Sequence, residues 1–386
     1  MSANTTSRRN FLKSAAILGT GLIIPFNILQ AGRRKHLHDA MEFAPNAFLN
    51  IKPDNSIEII LAHVEMGQGI WTTLPMLIAE ELDCDWNAIT VKHSPASPAY
   101  NHAVWGLQIT GGSSTTWSEF DRYRKAGATA RMLLIQAAAA KMGVEVASCK
   151  TENSFVISGD KKISYGEVAI DAEKLPMPKD APLRTAKDWK YIGKGVKRLD
   201  SNVKINGAAR FGMDVQFPGM LTAVVAHAPS FGGKVTSFDA SKAMMVNGVR
   251  KVVQIPTGVA VIADHFWAAK QGRNALEIVW DNSAGAELNT TTQLKKYKAL
   301  AATNGLQVVK KGDVNAALTG AAHIIEGVFV FPYLSHAPME PMNCTVRITG
   351  NTCEIWTGTQ MPQADQMAAA KIVGFKKNDV TVNTMF

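Results

Sequence analysis

The sequence predicts an α+β protein with more than one domain, and three observations carry that expectation. Short runs with period-two apolar alternation, such as Ile57, Ile59 and Leu61, are interleaved with runs in which apolar residues recur at helical spacing. The 386 residues, 46% hydrophobic and 19% charged, have the composition of a globular chain rather than a disordered or collagen-like one. Between about 150 and 192 the chain turns polar and is punctuated by Pro176, Pro178 and Pro182, which marks a linker over 151–192.

The N-terminus places Arg8, Arg9 and Lys13 ahead of an apolar stretch from Ala15 to Leu29, the order of an export signal. The paired arginines with Phe11 and Leu12 resemble the twin-arginine signal of bacteria, so residues 1–31 are set aside from the fold and a periplasmic location is expected. The stretch is shorter than the ~20 residues needed to span hydrocarbon, and Gly19, Gly21 and Pro25 interrupt it, so no stable membrane span is expected. Lys and Arg total 41 against 32 acids, a net +9, yet six of those cations lie in the first 35 residues, which contain no acid. A nucleic-acid-binding surface is therefore not needed to explain the charge. Cys84, Cys149, Cys344 and Cys353 are too scattered for a disulfide framework, and no C-x-x-C offers a zinc or iron–sulfur site.

Residues 48–63 read as two strands around Pro53-Asp54-Asn55. Glu65-Met66-Gly67-Gln68-Gly69 then leads into a helix from Trp71 to Leu82, with Pro75 tolerated near its first turn. A strand at Ile89–His93 and a polar loop precede Gly111-Gly112-Ser113-Ser114-Thr115-Thr116, which opens the longest helical run, about 117–142, ended by Gly143. Residues 193–285 read as an α+β unit with strands at 221–227, 249–255, 259–263 and 276–280 and short helices at 241–245 and 266–275. After a helical and linker stretch over 287–320, residues 322–331, 345–348 and 353–357 read as a meander. A helix at 362–374 and a strand from 380 follow. The last residues, Val380 to Phe386, are β-branched and apolar and stop without a turn or polar tail, and the expectation is a chain that is the front portion of a longer polypeptide.

Two glycine loops carry the main chemical signal. Gly67, Gln68 and Gly69 permit close approach of a backbone to a ligand, and the Gln68 amide both donates and accepts; the plain alternative is a packing turn. Gly111, Gly112, Ser113, Ser114 and Thr115 offer small residues, hydroxyls and free helix N–H groups, the makings of an anion site; the plain alternative is an ordinary N-cap. Neither loop matches the P-loop or dinucleotide fingerprint. A third segment, His336 to Met342, shows His336 and Glu340 on a proline-stiffened backbone, either toward a pocket or on a solvent-facing loop. No Ser-His-Asp or Cys-His arrangement follows from spacing, because His63, His93, His102, His227 and His265 sit in unrelated local contexts.

Together these segments resemble the molybdenum-binding large subunit of the xanthine dehydrogenase and aldehyde oxidoreductase family, especially its exported branch typified by the isoquinoline 1-oxidoreductase beta subunit. The likeness rests on the 65–69 loop, the 110–116 loop, Pro332 to Pro341 continuing to Thr357-Gly358-Thr359-Gln360, and the 193–285 unit. Within that unit Lys204-Ile205-Asn206-Gly207, Phe217-Pro218-Gly219-Met220-Leu221 and Phe266-Trp267-Ala268-Ala269 look like the family's α/β hammerhead domain. The resemblance implies an α/β hammerhead domain over 193–285, with parts of molybdopterin-binding α+β domains at 32–150 and 286–386. It implies a molybdenum hydroxylase that oxidises an N-heterocycle or an aldehyde with water as oxygen source. The implied cofactor is molybdopterin cytosine dinucleotide, with two-iron two-sulfur clusters on a small partner chain. Gln68 would contact the pterin, residues 111–115 the pterin or its phosphates, and His336 and Glu340 would lie toward the substrate.

The family's glycine-rich pterin loop, expected soon after the strand at 380, and its general-base glutamate have no counterpart in these 386 residues, so no catalytic residue and no protein metal ligand is assigned. A second polypeptide carrying the rest is one expectation; an inactive exported binding or assembly protein that keeps the fold is the alternative. The purified 386-residue chain is expected to carry little molybdenum and little cytidine nucleotide, as measured by elemental analysis and mass spectrometry; substantial amounts of both would contradict this.

Overall fold

The computed structural model describes residues 22–25 and 47–386, and the paired arginines of the expected export signal lie outside the described residues. The chain divides into two compact units, one made of the N-terminal part to Val215 together with Glu340–Phe386, the other of Gln216–Met339.

The first unit begins with a four-stranded sheet. Strand β1 (Leu22–Pro25), inside the stretch assigned to the export signal, pairs antiparallel with β2 (Ala47–Ile51), which pairs antiparallel with β3 (Ile57–Leu61). The expected alternation is present in β3, where Ile57, Ile59 and Leu61 are fully buried. Helix α1 (Ile70–Leu82) crosses over to β4 (Ile89–His93), which lies parallel to β3. Pro75 sits inside α1, just past the first turn. The long helix α2 (Thr115–Met142) packs on α1 and ends, as its sequence indicates, with Gly143 in the left-handed conformation, whose N–H returns to the last turn.

The expected linker at 151–192 is folded over its first half. Strands β5 (Lys150–Glu152), β6 (Phe155–Ser158) and β7 (Lys161–Ser164) form a meander that runs into α3 (Tyr165–Glu173), started by a capping box between Ser164 and Glu167. Val156, Tyr165, Val168 and Ala172 of this segment are buried in the main core with Leu74 and Leu134. The three prolines lie after this region, so the proline signal marks only its second half. A short α4 (Ser201–Ile205) follows.

The second unit has a three-stranded antiparallel sheet in the order β10-β11-β8, made of β8 (Thr222–His227), β10 (Val249–Ile255) and β11 (Gly258–Ala263). A two-stranded ribbon pairs β9 (Lys234–Asp239) with β12 (Glu277–Asp281), and α5 (Ser241–Met244) precedes β10. Helix α6 (Phe266–Asn274) packs Ala268 and Ala269 on Ala263. Strand β9 has no counterpart among the expected strands. The unit's limits also differ from 193–285, since the compact unit starts at Gln216 and runs to Met339. Helices α7 (Thr290–Ala301) and α8 (Val314–Thr319) follow. The strand expected at 322–331 does not form. The segment is irregular and exposed, with Ile325, Val328, Phe329 and Phe331 facing outward, because the β-branched residues find no strand to pair with.

Back in the first unit, β13 (Thr345–Thr349) and β14 (Thr352–Thr357) form a hairpin, α9 (Pro362–Val373) crosses over, and β15 (Val380–Thr384) lies parallel to β14. This repeats the order of β2, β3, α1 and β4. In each copy the helix is left through a residue in the left-handed conformation, Asp83 or Gly374, and a short 3₁₀ turn leads into the parallel strand.

The C-terminal end of α1 is held by buried ions. Glu80, fully buried, accepts hydrogen bonds from the backbone N–H groups of Lys190, Tyr191 and Ile192 at 2.7–3.1 Å. Glu81 accepts from Arg124 and from the Arg184 N–H, and Asp83 from Arg184 and Lys190. Replacing Glu80 by Ala removes the acceptor of three part-buried N–H groups, and a loss of about 2 kcal/mol in unfolding free energy is expected. Urea denaturation checks it, and a loss below about 1 kcal/mol, the net worth of one ordinary hydrogen bond, would contradict the role given to this carboxylate.

Candidate functional site

The carboxyl ends of β3, β4, β14 and β15 and the N-terminus of α2 meet at one edge of the first unit, and side-chain hydrogen bonds tie them together. Val64, three residues past β3, donates its N–H to Thr110 Oγ1 at 2.9 Å. Thr110 in turn exchanges two hydrogen bonds with Gln360, past β14, through its own N–H and its carbonyl. His93 at the end of β4 accepts from the Glu65 N–H at Nε2 and faces the Thr384 carbonyl with Nδ1, at 3.0 and 3.2 Å. The two glycine loops therefore lie side by side, at the end of the sheet where open α/β folds place ligands.

The first loop is occupied by a residue to which the sequence pattern assigns no role. Glu65 is buried, and its carboxylate accepts from the N–H groups of Gly67, Gly69 and Trp71 at 2.7, 3.0 and 2.8 Å. The left-handed backbone at Gly67 and Gly69, φ 101° and 97°, makes this possible, since a side chain at either would be strained. Arg198 closes the loop from outside, donating to Glu65, Asp200 and the Gly67 carbonyl. Gln68 is exposed, but its amide is folded back: Oε1 accepts from the Met66 N–H and Nε2 donates to the Val64 carbonyl. The N–H groups of Met66, Gly67, Gly69 and Trp71 are thus already satisfied from within the protein.

The second loop is different. Gly112 and Ser113 both have positive φ, 60° and 53°, and Ser114 donates its hydroxyl to the Gly111 carbonyl instead of capping α2. Among the described residues no side chain caps α2 and no acid stands in its first turn, so the N–H groups there are available to an anion. Trp105, 42% exposed, lies against this turn: a Cβ at Gly112 would come within 3.1 Å of the indole. One face of that indole is stacked on His102, with centroids 4.1 Å apart and planes at 11°. His102 Nδ1 accepts from the N–H groups of Val104 and Trp105, which fixes the indole's place. Burial pushes the His102 imidazolium's pKa down.

Beneath the loop, Thr115 Oγ1 is 3.2 Å from His63 Nδ1, and His63 Nε2 is 3.3 Å from Glu119 Oε1. Thr115 is 8% exposed, while His63 and Glu119 are essentially fully buried. Arg122 donates to the same Glu119 oxygen at 2.9 Å. The histidines that share no local context in sequence are not all apart in space: His63 and His102 pack edge to face at 5.7 Å. The four-residue spacing of Thr115 and Glu119 on one helix is the available signal, but only the fold brings His63 between them.

His336 is exposed in the second unit, and Glu340 belongs to the first, where Oε1 accepts from the Met213 N–H and from Asn343 Nδ2. Glu340 braces the backbone at 213 in this structure. Among the described residues no group of three or more His, Cys, Asp or Glu side chains is placed to hold a metal ion, and no helix is long and apolar enough to cross a membrane.

Comparison with known proteins gives a consistent picture. Residues 2–215 match a family model described as a molybdopterin cofactor-binding domain, and residues 298–386 match a second model of the same description. The chain is 30% identical to the beta chain of isoquinoline 1-oxidoreductase from Brevundimonas diminuta over 98% of its own length and 54% of the relative's. It is 28% identical to the membrane-bound aldehyde dehydrogenase (pyrroloquinoline-quinone) of Gluconacetobacter polyoxogenes, with 92% and 48% covered. One of the subunits of nicotinate dehydrogenase from Pseudomonas putida is 27% identical, with 82% and 27% covered. The chain spans about half the length of the first two of these relatives. Among solved structures, quinoline 2-oxidoreductase from Pseudomonas putida 86 overlaps 50% of this chain and 30% of its own, at 16% identity and a TM-score of 0.38.

His93 gives the site a pH signature. Burial pushes its pKa down to about 4, against the opposing hydrogen bond to Thr384. The unfolded chain takes up that proton first, so this contribution to stability is present above about pH 6.5 and is lost as the pH falls toward 4. A His93→Asn variant is expected to be less stable at neutral pH, with a smaller change across that window, in urea denaturation at several pH values. An identical pH dependence in variant and wild type would contradict it.

Proposed function

This chain belongs to the molybdopterin cofactor-binding domain family, and we propose that it is part of a molybdenum-binding large subunit whose assembled enzyme oxidises an N-heterocycle or an aldehyde with water as oxygen source. The substrate class follows the relatives, which are named for isoquinoline, aldehyde and nicotinate oxidation. The observation that carries the reading is the pairing of two helix-opening turns at the shared carboxyl end of the parallel strands, joined by the Val64–Thr110 hydrogen bond.

The residues present fit part of such a cofactor. The turn at Gly111, Gly112, Ser113, Ser114 and Thr115 offers uncapped N–H groups and a flat indole wall, suited to a phosphorylated pterin. In the loop at Gly67, Gln68 and Gly69 the N–H groups of the two glycines are taken by Glu65, so its share reduces to shape and to the remaining hydrogen-bonding capacity of Gln68. Bound molybdopterin would supply the redox centre. This chain's part is to seat it, with Glu65 and Arg198 keeping the first loop rigid and His102 holding the indole in place.

The dinucleotide form with cytosine, the iron–sulfur small subunit and a periplasmic location reached by the twin-arginine route are further parts of the proposal. Two relatives are named as subunits, which supports a partner chain. The remaining part of the large subunit would come from another segment or chain. The exposed apolar residues at 324–334, which pair with no strand among the described residues, are a surface for it to cover. Cell fractionation after replacing Arg8 and Arg9 by Lys tests the location, with loss of the periplasmic form expected.

Co-expression with a polypeptide supplying the other half of the relatives' length is expected to yield a complex that retains molybdenum and shows dehydrogenase activity toward N-heterocycles. Gly112→Val, which strains the left-handed turn and presses on Trp105, should assemble but lose most of the metal. A well-folded complex free of molybdenum, or one that loads equally with Gly112→Val, would overturn the proposal. A loaded complex with no activity would favour a binding or assembly protein.

A further inference from the structure

We infer that buried His63 and Glu119 fix the Thr115 hydroxyl as a hydrogen-bond acceptor, so that the turn reads an N–H donor on a flat heterocycle at that point rather than a phosphate oxygen. The inference rests on the reading of this turn as a cofactor site.

The argument is one of donors and acceptors. Glu119 Oε1 is a carboxylate oxygen, which accepts only, so His63 Nε2 at 3.3 Å must carry the proton of that hydrogen bond. Arg122 donates to the same Glu119 oxygen at 2.9 Å, so the carboxylate already has one cation beside it before His63 is considered. A second cation would be enclosed there without an anion of its own, at considerable cost. With Nε2 protonated and the ring neutral, Nδ1 has a lone pair, and the only proton available between it and Thr115 Oγ1, 3.2 Å away, is the hydroxyl's. Thr115 therefore spends its hydrogen inward.

What the hydroxyl shows to a ligand is its lone pairs. A ring N–H or an exocyclic amine satisfies them; a phosphate oxygen, which also accepts, does not. Phosphate oxygens reaching this turn are left with the backbone N–H groups of the first turn of α2. Trp105, clamped on His102 and 42% exposed, adds a flat surface against Gly112 of the same turn. An acceptor hydroxyl in a turn that also carries an exposed indole suits the amino and ring N–H edge of a planar heterocycle such as a pterin. His63 and Glu119 do not touch the ligand; they are positioning residues that act through Thr115.

The test uses the 386-residue chain with ¹⁵N-labelled histidine, His63 being assigned by its absence in His63→Gln. The expected signature is a neutral ring protonated at Nε2 and bare at Nδ1; a doubly protonated ring, or a proton on Nδ1 alone, overturns the inference while leaving the cofactor reading intact. Titrations with pterin and, separately, inorganic phosphate are then followed by the amide signals of residues 111–117. Thr115→Val is expected to weaken pterin binding about fivefold, the usual worth of one hydrogen bond, with Thr115→Ser restoring it and phosphate binding unchanged. Equal pterin affinity in Thr115→Val overturns the acceptor role alone. No response of the turn to either probe, in the isolated chain and in the complex co-expressed with the other half, with the expected histidine signature present, overturns the cofactor reading and the inference with it.

Discussion

Helix α1 is held at both ends by carboxylates that never reach water, and the geometry of the site follows from that constraint. At its N-terminus Glu65 accepts from Gly67, Gly69 and Trp71, where a negative charge is favoured by the helix dipole. At its C-terminal end Glu80, Glu81 and Asp83 stand where the same dipole opposes them, and they persist because Arg124, Arg184, Lys190 and three backbone N–H groups surround them. For Asp83, burial raises the pKa, yet the hydrogen bonds from Lys190 and Arg184 outweigh it and hold the carboxyl below its usual range. The first set fixes the loop after β3, and the second fixes the 182–192 segment against the helix.

The same units appear twice. A hairpin, a crossover helix left through a left-handed residue, and a parallel strand recur in β2–β4 and β13–β15, and each copy sends the loop after its middle strand toward Thr110. Thr110 is thus the meeting point of two equivalent loop positions, which explains why a polar residue is buried just ahead of the glycine turn. One of the two loops closes on its own carboxylate and the other contributes Gln360, so the turn at 111–115 is the place where helix N–H groups lack a side-chain partner.

Much of the fold is legible from period and punctuation. The strands at 47–51 and 57–61, the helix ending at Gly143 and the crossover at 362–373 follow from alternation, helical spacing and glycine at a C-terminus, because each depends on neighbours within a few residues. The misreadings share a cause. Residues 150–173 read as a linker because their apolar positions are few, yet Val156, Tyr165 and Val168 are enough once α1 and α2 supply the opposite wall. Residues 322–331 read as a strand because they are β-branched, yet a strand needs a partner that local sequence cannot supply.

The sequence alone determined that two glycine turns would open helices, that residues 111–115 hold hydroxyls beside helix N–H groups, and that the four cysteines form no C-x-x-C. Those properties belong to residue types and short spacings. Only the tertiary structure decided that Glu65 fills the first turn, that Gln68 folds back on its own loop, that Glu340 braces residue 213, and that His63 comes to rest between Thr115 and Glu119. The deciding factor is reach: whether a polar group is spent internally or left for a ligand depends on which distant groups the packing brings within hydrogen-bond distance.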